Sequence, residues 1–470
     1  MARAIHAKKV LNMEARSIEQ IPAGERHGKA WHLAPFWFTG NFVLTTMATG
    51  FIGPSSGLLA WQAILAIVLG VAAGTLCMAL HANQGPRLGL AQMIQSRAQF
   101  GLYGAVLPFA VVVGVYVGFN VFNLTLASEA LGPWLPGPAP LWQGLLLAIA
   151  LCIAVVGHDL LHAVQRWLTY VLIAVFGWLT LTALGGLQLD SAQPQVPFSW
   201  AAFFGQLSVA AAYQISYAVY VSDYTRYLPA DTPARRTVGW TYLGAAASAI
   251  WLMSLGALLA SALPADGPIG YVKHLGDLAM PGFGNIAVLL AVPALVGIMA
   301  INCYGAMLTG ASALSAMREV PPGAGPRIVG IVLVGVLIYL ITLSLPASYL
   351  DSFSLFLQLM LYLLLPWSAI NLTDFYLLRQ GRYVIAELFD AQGIYGRWAL
   401  PGLLAYLGAL LAMLPFASLG GYQGWLVASL GGVDLAAPVG FVMAALLYGC
   451  FTYHRDNLRE TALWRQENRV

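Results

Sequence analysis

"FWFTGNFVLTTMATG", residues 36–50, is the stretch on which the reading of the fold turns. It lies inside a hydrophobic run of membrane-span length. Yet it sets Thr39, Gly40 and Asn41 in a row, with Thr45, Thr46, Thr49 and Gly50 behind them. Lipid offers such groups no hydrogen-bond partner, and glycine weakens a helix wherever it falls. The stretch is therefore either a close packing surface of small residues or a break whose freed backbone groups line a cavity.

The surrounding chain shows that this is a membrane question. Of 470 residues, 59% are hydrophobic and 9% charged, and the mean hydropathy is +0.75. A soluble domain carries about 25% charged residues. Runs of roughly 20 apolar residues define twelve spans, at 34–54, 58–82, 102–131, 140–157, 165–187, 201–222, 237–263, 283–316, 327–346, 351–372, 398–418 and 436–454. Of the 22 Lys and Arg, all but Lys273 fall before span 1, in alternate loops, or after span 12. By the positive-inside rule both termini are cytoplasmic and the number of spans is even. The first thirty residues hold no apolar core of leader length, so no cleavage is expected. The expectation is a multi-pass protein of the cell (inner) membrane, working as a monomer in the lipid bilayer. A net charge of +3, sorted in this way, implies no nucleic-acid partner. Cys77, Cys152, Cys303 and Cys450 read as small hydrophobes.

A second interrupted span stands beside the first. Span 6 contains "AAAYQISYAVYVSDY", residues 210–224. Each interrupted span opens a set of five, and the two run in opposite directions. Interrupted segments at matching positions point to a transporter site at the bilayer midplane. The expected organisation is an N-terminal segment 1–33, a first five-helix repeat 34–187 and an inverted second repeat 201–378. Spans 11 and 12 follow at 398–454, and then a tail at 455–470.

Several motifs are set aside. Gly53-Pro54-Ser55-Ser56-Gly57 fits GxSxG but lies in a turn between two spans, not on a strand–turn–helix elbow. "GFGNIA", 282–287, opens a membrane helix rather than following a strand. In "HDLLH" the pair His158 and His162 has zinc-ligand spacing, but no third ligand follows; capping of the loop is the better reading. No metal and no cofactor are expected.

The middle of each span lacks Asp, Glu, Lys and Arg, with Glu129 and Asp351 only near outer ends. Such groups usually mark proton relays or charged substrates, so a neutral ligand is expected. Phe119 and Asn123 (span 3), Tyr213, Gln214, Ser216 and Tyr217 (span 6), and Asn302 and Tyr304 (span 8) are the candidate groups. Phe119 and Asn123 are four apart and share a helix face. A ring above a carboxamide suits a flat heterocycle with an amide edge, because the carboxamide both donates and accepts.

"SIEQIPAGERHGKAWHLAPFWFTGN", "GLAQMIQSRAQFGLYG", "GHDLLHAVQRWLTY", "YAVYVSDYTRYLP" and "INLTDFYLLRQGRYVIAELFD" resemble the nucleobase–cation symporter-1 family, in its purine–cytosine permease branch. The likeness runs from Ser17 to Phe451. It implies an all-α LeuT-type fold, two inverted five-helix repeats with two C-terminal helices outside. Spans 1, 2, 6 and 7 would form a bundle, spans 3, 4, 8 and 9 a scaffold, and spans 5 and 10 thin gates. It also implies a substrate ring held between an aromatic of span 3, matching Phe119, and one of span 6, either Tyr213 or Tyr217, with Asn123 completing the contact. Asn302 matches a position that binds substrate or ion.

The resemblance further implies a sodium site built from backbone carbonyls matching Thr39, Phe42 and Ile298 and from two side-chain hydroxyls. The hydroxyl positions here are Ile301 and Asn302. That departure favours H+ over Na+ as the coupling ion. The expected function is cation-coupled import of a neutral nucleobase-like heterocycle such as cytosine, uracil, a purine or allantoin. A vitamin precursor such as hydroxymethylpyrimidine or pyridoxine is the alternative ligand. A channel or a membrane-embedded enzyme is disfavoured, since no polar stripe runs the length of a span and no nucleophile–base or metal set lies at midplane.

Overall fold

The computed structural model describes residues 19–156, 158–187, 197–264, 267–318, 324–346, 348–453 and 457–467. The side chains of His158, Asp159 and His162 lie outside the described set. Among the described residues, seven helices are long and apolar enough to cross a membrane. They are Ala60–Ala82, Val106–Leu131, His158–Gly186, Ala234–Ala262, Phe283–Ser315, Ala324–Leu343 and Tyr349–Leu372, which occupy spans 2, 3, 5, 7, 8, 9 and 10. Three shorter apolar helices, Ala139–Val156, Leu400–Met413 and Ala436–Thr452, occupy spans 4, 11 and 12.

The two remaining segments are broken helices. Span 1 runs as Leu33–Asn41, loses helical geometry at Phe42 and Val43, and resumes as Leu44–Thr49. Span 6 runs as Trp200–Ile215, tightens over Ser216–Val219 and resumes as Val221–Thr225. The opening stretch is thus a break. Side chains take up the backbone groups it frees. The Asn41 carbonyl accepts the Val43 N–H at 3.0 Å and the Thr46 hydroxyl at 2.5 Å. The Thr39 carbonyl is less free than the sequence suggests, because it accepts the Phe42 N–H at 3.1 Å.

Spans 1, 2, 6 and 7 pack as one bundle and spans 3, 4, 8 and 9 as another. Contacts repeat with an offset of five: span 1 lies on span 7 as span 6 lies on span 2, and span 4 on span 8 as span 9 on span 3. Spans 11 and 12 pair with each other and lean on span 10. Small residues join the first bundle backbone to backbone. A Cβ on Gly70 or Gly74 of span 2 would fall on the carbonyl of Leu207 or Ala211 of span 6. Gly50 and Gly256 do the same reciprocally, against Met253 and Met47.

Three features depart from the expected layout. An amphipathic helix, Pro268–Ala279, buries Val272 and Leu275 between spans 7 and 8. A C-terminal helix, Asn457–Glu467, docks back on the molecule. Span 10 outruns its expected end at 372 through a wider turn, Thr373–Leu378, that carries Asp374 into full burial. The apolar-run criterion stops at an acid; here Arg379 offsets the charge. Asp374 pairs with Arg379 and accepts from Gln99 at 2.5 Å, Tyr383 at 2.8 Å and Tyr448 at 2.9 Å. Arg379 also donates to Glu460 of the C-terminal helix at 2.9 Å. Burial works against the Arg379 charge, but Asp374 outweighs it and holds the guanidinium protonated well above the ordinary arginine value.

Candidate functional site

The two breaks meet at one place. Asn41 and Gln214 face each other as a reciprocal amide pair, at 3.3 and 3.4 Å. Asn41 also donates to the Ala245 carbonyl of span 7 at 3.1 Å, and Thr75 of span 2 donates to Gln214 at 3.2 Å. All four spans of the bundle are thereby tied at the level of the breaks. Gln214, expected at the substrate, is instead turned into this joint. Its nearest partners are Asn41 and Thr75, not the pocket.

Beside the joint lies a small cavity of about 20 Å³, room for a single water. Val43 of span 1 closes one side. Tyr116, Phe119 and Asn123 face it from span 3, and Ile298 and Asn302 from span 8. Span 6 contributes Tyr213, Ser216, Tyr217 and Tyr220. The structure therefore brings together Phe119, Asn123, Tyr213, Ser216, Tyr217 and Asn302, as the sequence pattern anticipates. Phe119 and Tyr213 do not stand as parallel faces, however. Their centroids are 5.3 Å apart at 85°, edge to face, so the two rings fill the space a third would take.

Polar groups around the cavity are anchored from behind. The Thr45 hydroxyl donates to Asn123 Oδ1. With the one Thr46 proton given to the Asn41 carbonyl, the Tyr213 hydroxyl donates to Thr46 Oγ1 at 2.8 Å, and Ser216 donates to the Tyr213 carbonyl at 2.6 Å. Asn302 Nδ2 donates to Asn120 Oδ1 at 2.9 Å, and Asn120 donates to the Met299 carbonyl at 3.0 Å.

A much larger vestibule, about 870 Å³, opens from this level toward the end of the bundle that carries the N-terminus. Phe36, Trp37, Thr39 and Gly40 line it from span 1, and Thr169 and Ile173 from span 5. Tyr217, Tyr220 and Ile298 border both spaces, so a single layer of side chains separates them. Tyr116 stacks on Tyr220 at 5.4 Å to brace that layer. Toward the other membrane face the closure is thicker. Phe356 of span 10 meets Phe119 edge-on at 5.3 Å, and Phe353 lies against Phe122 at 4.8 Å.

Of the residues matched to a sodium site, Ile298 borders both spaces. Ile301 and Thr39 line the vestibule, whereas Asn302 faces the cavity and is held by Asn120. The Phe42 side chain is buried against Phe38, Phe176 and Trp251. Tyr304 turns away from the cavity, its ring under Arg327 of span 9 at 4.7 Å. Among the described residues, no group of three or more His, Cys, Asp or Glu stands ready for a metal ion. Tyr116, Tyr220, Asn120 and Thr45 escaped the sequence reading. Tyr220 had a signal, since Tyr213, Tyr217, Tyr220 and Tyr224 recur at helical spacing.

Residues 20–440 match the family of permeases for cytosine/purines, uracil, thiamine and allantoin. YxlA of Bacillus subtilis, assigned by name to the purine-cytosine permeases, is 36% identical over 97% of this chain and 99% of its own. The purine-cytosine permease fcyB of Emericella nidulans is 25% identical over 94% of this chain and 88% of its own. Inward-facing Mhp1 superposes with a TM-score of 0.73 at 19% identity, over 96% of this chain and 98% of that one. Mhp1 in a closed conformation with bromovinylhydantoin bound, a nucleobase-cation-symport-1 family transporter, gives 0.73 at 18% identity, over 96% and 99%. On a family match that spans most of its length, the chain belongs to the nucleobase–cation symporter-1 permeases, and is a multi-pass membrane transporter rather than an enzyme.

Proposed function

We propose that this permease imports a neutral nucleobase-like heterocycle by alternating access, binding the ring at Phe119 and a span 6 tyrosine while Asn123 and Asn302 meet its polar edge. The observation that carries this reading is the cavity at the meeting of the two breaks, lined by rings and carboxamides. Uncharged groups of this kind suit a neutral, flat ligand that stacks and hydrogen-bonds. Because Phe119 and Tyr213 occupy the space themselves, loading requires one ring to swing aside. The names of YxlA and fcyB support a purine or cytosine ligand. The mention of thiamine in the family's description keeps a vitamin-precursor pyrimidine as the second reading.

The sorted Lys and Arg support cytoplasmic termini. On that orientation the vestibule opens to the cytoplasm and the conformation is inward-facing. Coupling to protons is the favoured reading, because Ile301 supplies no side-chain oxygen and Asn302 lines the cavity rather than the vestibule where Thr39 and Ile301 lie.

The test is uptake into proteoliposomes of cytosine, uracil, hypoxanthine, allantoin and hydroxymethylpyrimidine. At least one should accumulate under a pH gradient alone and cease to do so with an uncoupler. Accumulation of none would overturn the substrate reading. Strong accumulation under a sodium gradient at equal pH, lost in Asn302→Ala, would overturn proton coupling and leave the substrate reading standing.

A further inference from the structure

We infer that the pocket has a fixed hydrogen-bonding polarity, with Asn123 presenting N–H and Asn302 presenting C=O, and that Thr45 and Asn120 set it. The ligand edge it fits carries an acceptor next to a donor, as cyclic amidines and lactams do. The inference rests on the substrate pocket proposed above and adds to it the orientation of the two carboxamides.

A carboxamide has two faces of opposite character, and its other partners decide which one is shown. On the span 8 side the decision starts at a backbone carbonyl, which can only accept. Asn120 Nδ2 donates to the Met299 carbonyl at 3.0 Å and to Cys303 Sγ at 3.2 Å, so its oxygen points the other way. That oxygen accepts from Asn302 Nδ2 at 2.9 Å. Asn302 lines the cavity, and with its nitrogen engaged it has its oxygen left for the ligand.

On the span 3 side the decision starts at a hydroxyl. A threonine in an unbroken helix can donate to the carbonyl four residues back; for Thr45 that carbonyl belongs to Asn41, on the far side of the break at Phe42 and Val43. That carbonyl already takes the Val43 N–H and the Thr46 hydroxyl, one for each lone pair. The Thr45 proton therefore goes to Asn123 Oδ1, and the Asn123 N–H pair is left for the cavity. Thr45 and Asn120 are positioning residues, acting on the ligand through the carboxamides they hold.

A ligand then meets donors from span 3 and an acceptor from span 8. Cytosine has such an edge in its ring N3 and 4-amino group, and hypoxanthine in its oxo and N1–H groups. Pyrimidine, which has no N–H, is the probe without that edge for cytosine; purine lacks the oxo and N1–H pair of hypoxanthine but keeps N9–H beside N3, so the cytosine–pyrimidine pair decides.

The experiment is calorimetric binding of these four compounds to the purified full chain. Wild type should prefer the complete edge in the cytosine–pyrimidine pair by about ten- to hundredfold, the range for one buried group left unpaired. Thr45→Val frees Asn123 to turn over and should shrink that ratio to about threefold or less, while Thr45→Ser restores it. Asn120→Leu should shrink it from the span 8 side and serves if Thr45→Val fails to fold. A merely structural role would weaken both members of a pair equally; that result, or a ratio unchanged in both variants, overturns the inference. Wild type binding none of the four while accumulating one of the other uptake compounds overturns the inference alone; binding none and accumulating none overturns the substrate reading itself.

Discussion

Phe119 touches Tyr213 on one side and Phe356 on the other, each edge-on at 5.3 Å. The ring that would stack the substrate thus also meets the helix that closes the pocket. Phe119→Ala should abolish ligand binding while the protein stays folded and monodisperse, and Phe119→Trp should keep it. Wild-type affinity in the alanine variant, measured by the same calorimetry, would reduce Phe119 to packing. Phe119 and Asn123 were legible because a one-turn spacing on a single helix is a local property. Gln214 was placed at the ligand because a buried amide near a break looks like a binding group. Only its pairing with Asn41, 173 residues away in sequence, reveals the joint. Thr45 and Asn120 were illegible for the same reason, since their roles exist only once spans 1, 3 and 8 are brought together.

The broken helices could be read from composition, since small polar residues inside an apolar run mark a break wherever neighbouring helices do not explain them. The end of span 10 could not. Asp374 looks like a boundary until Arg379 and Glu460 are set beside it, and Glu460 arrives from a polar helix that no hydropathy argument would dock. This ion network allows a graded prediction. Arg379→Ala leaves Asp374 buried without its cation, a change that typically costs about 3–5 kcal/mol. Glu460→Gln should cost much less, because an amide oxygen still accepts from Arg379 and from Tyr395, both now at 2.9 Å. The thermal midpoint in detergent checks the order; equal losses would mean that the C-terminal helix carries as much of the network as Asp374 does.

At the scale of the whole molecule, the helical membrane layout was legible because lipid allows so few solutions, and the contacts that repeat five segments apart accord with the two breaks. The unforeseen parts, Pro268–Ala279 and the C-terminal helix, are too short or too polar to register as spans. The bundle of spans 1, 2, 6 and 7 is joined at glycines and at the Asn41–Gln214 pair, so it should move as one body. Gly74→Val would drive a side chain into the Ala211 carbonyl, and overpacking of this kind typically costs about 1–3 kcal/mol. Thermal stability should fall while the preference between cytosine and pyrimidine stays at the wild-type ratio. A changed ratio would mean that the span 2 contact reaches the pocket.

The unequal closures around the cavity have a pharmacological consequence. On one side a single layer of tyrosine gives onto about 870 Å³ of aromatic-lined space, within the roughly 300–1,000 Å³ that drug-sized molecules occupy. On the other, phenylalanines of two helices stand ring against ring. A blocker with a flat head and a bulky tail would therefore wedge this conformation from the vestibule alone. Inhibition by such a compound would be sided: membrane-impermeant versions would silence only those transporters in a mixed vesicle population whose vestibule faces the compound.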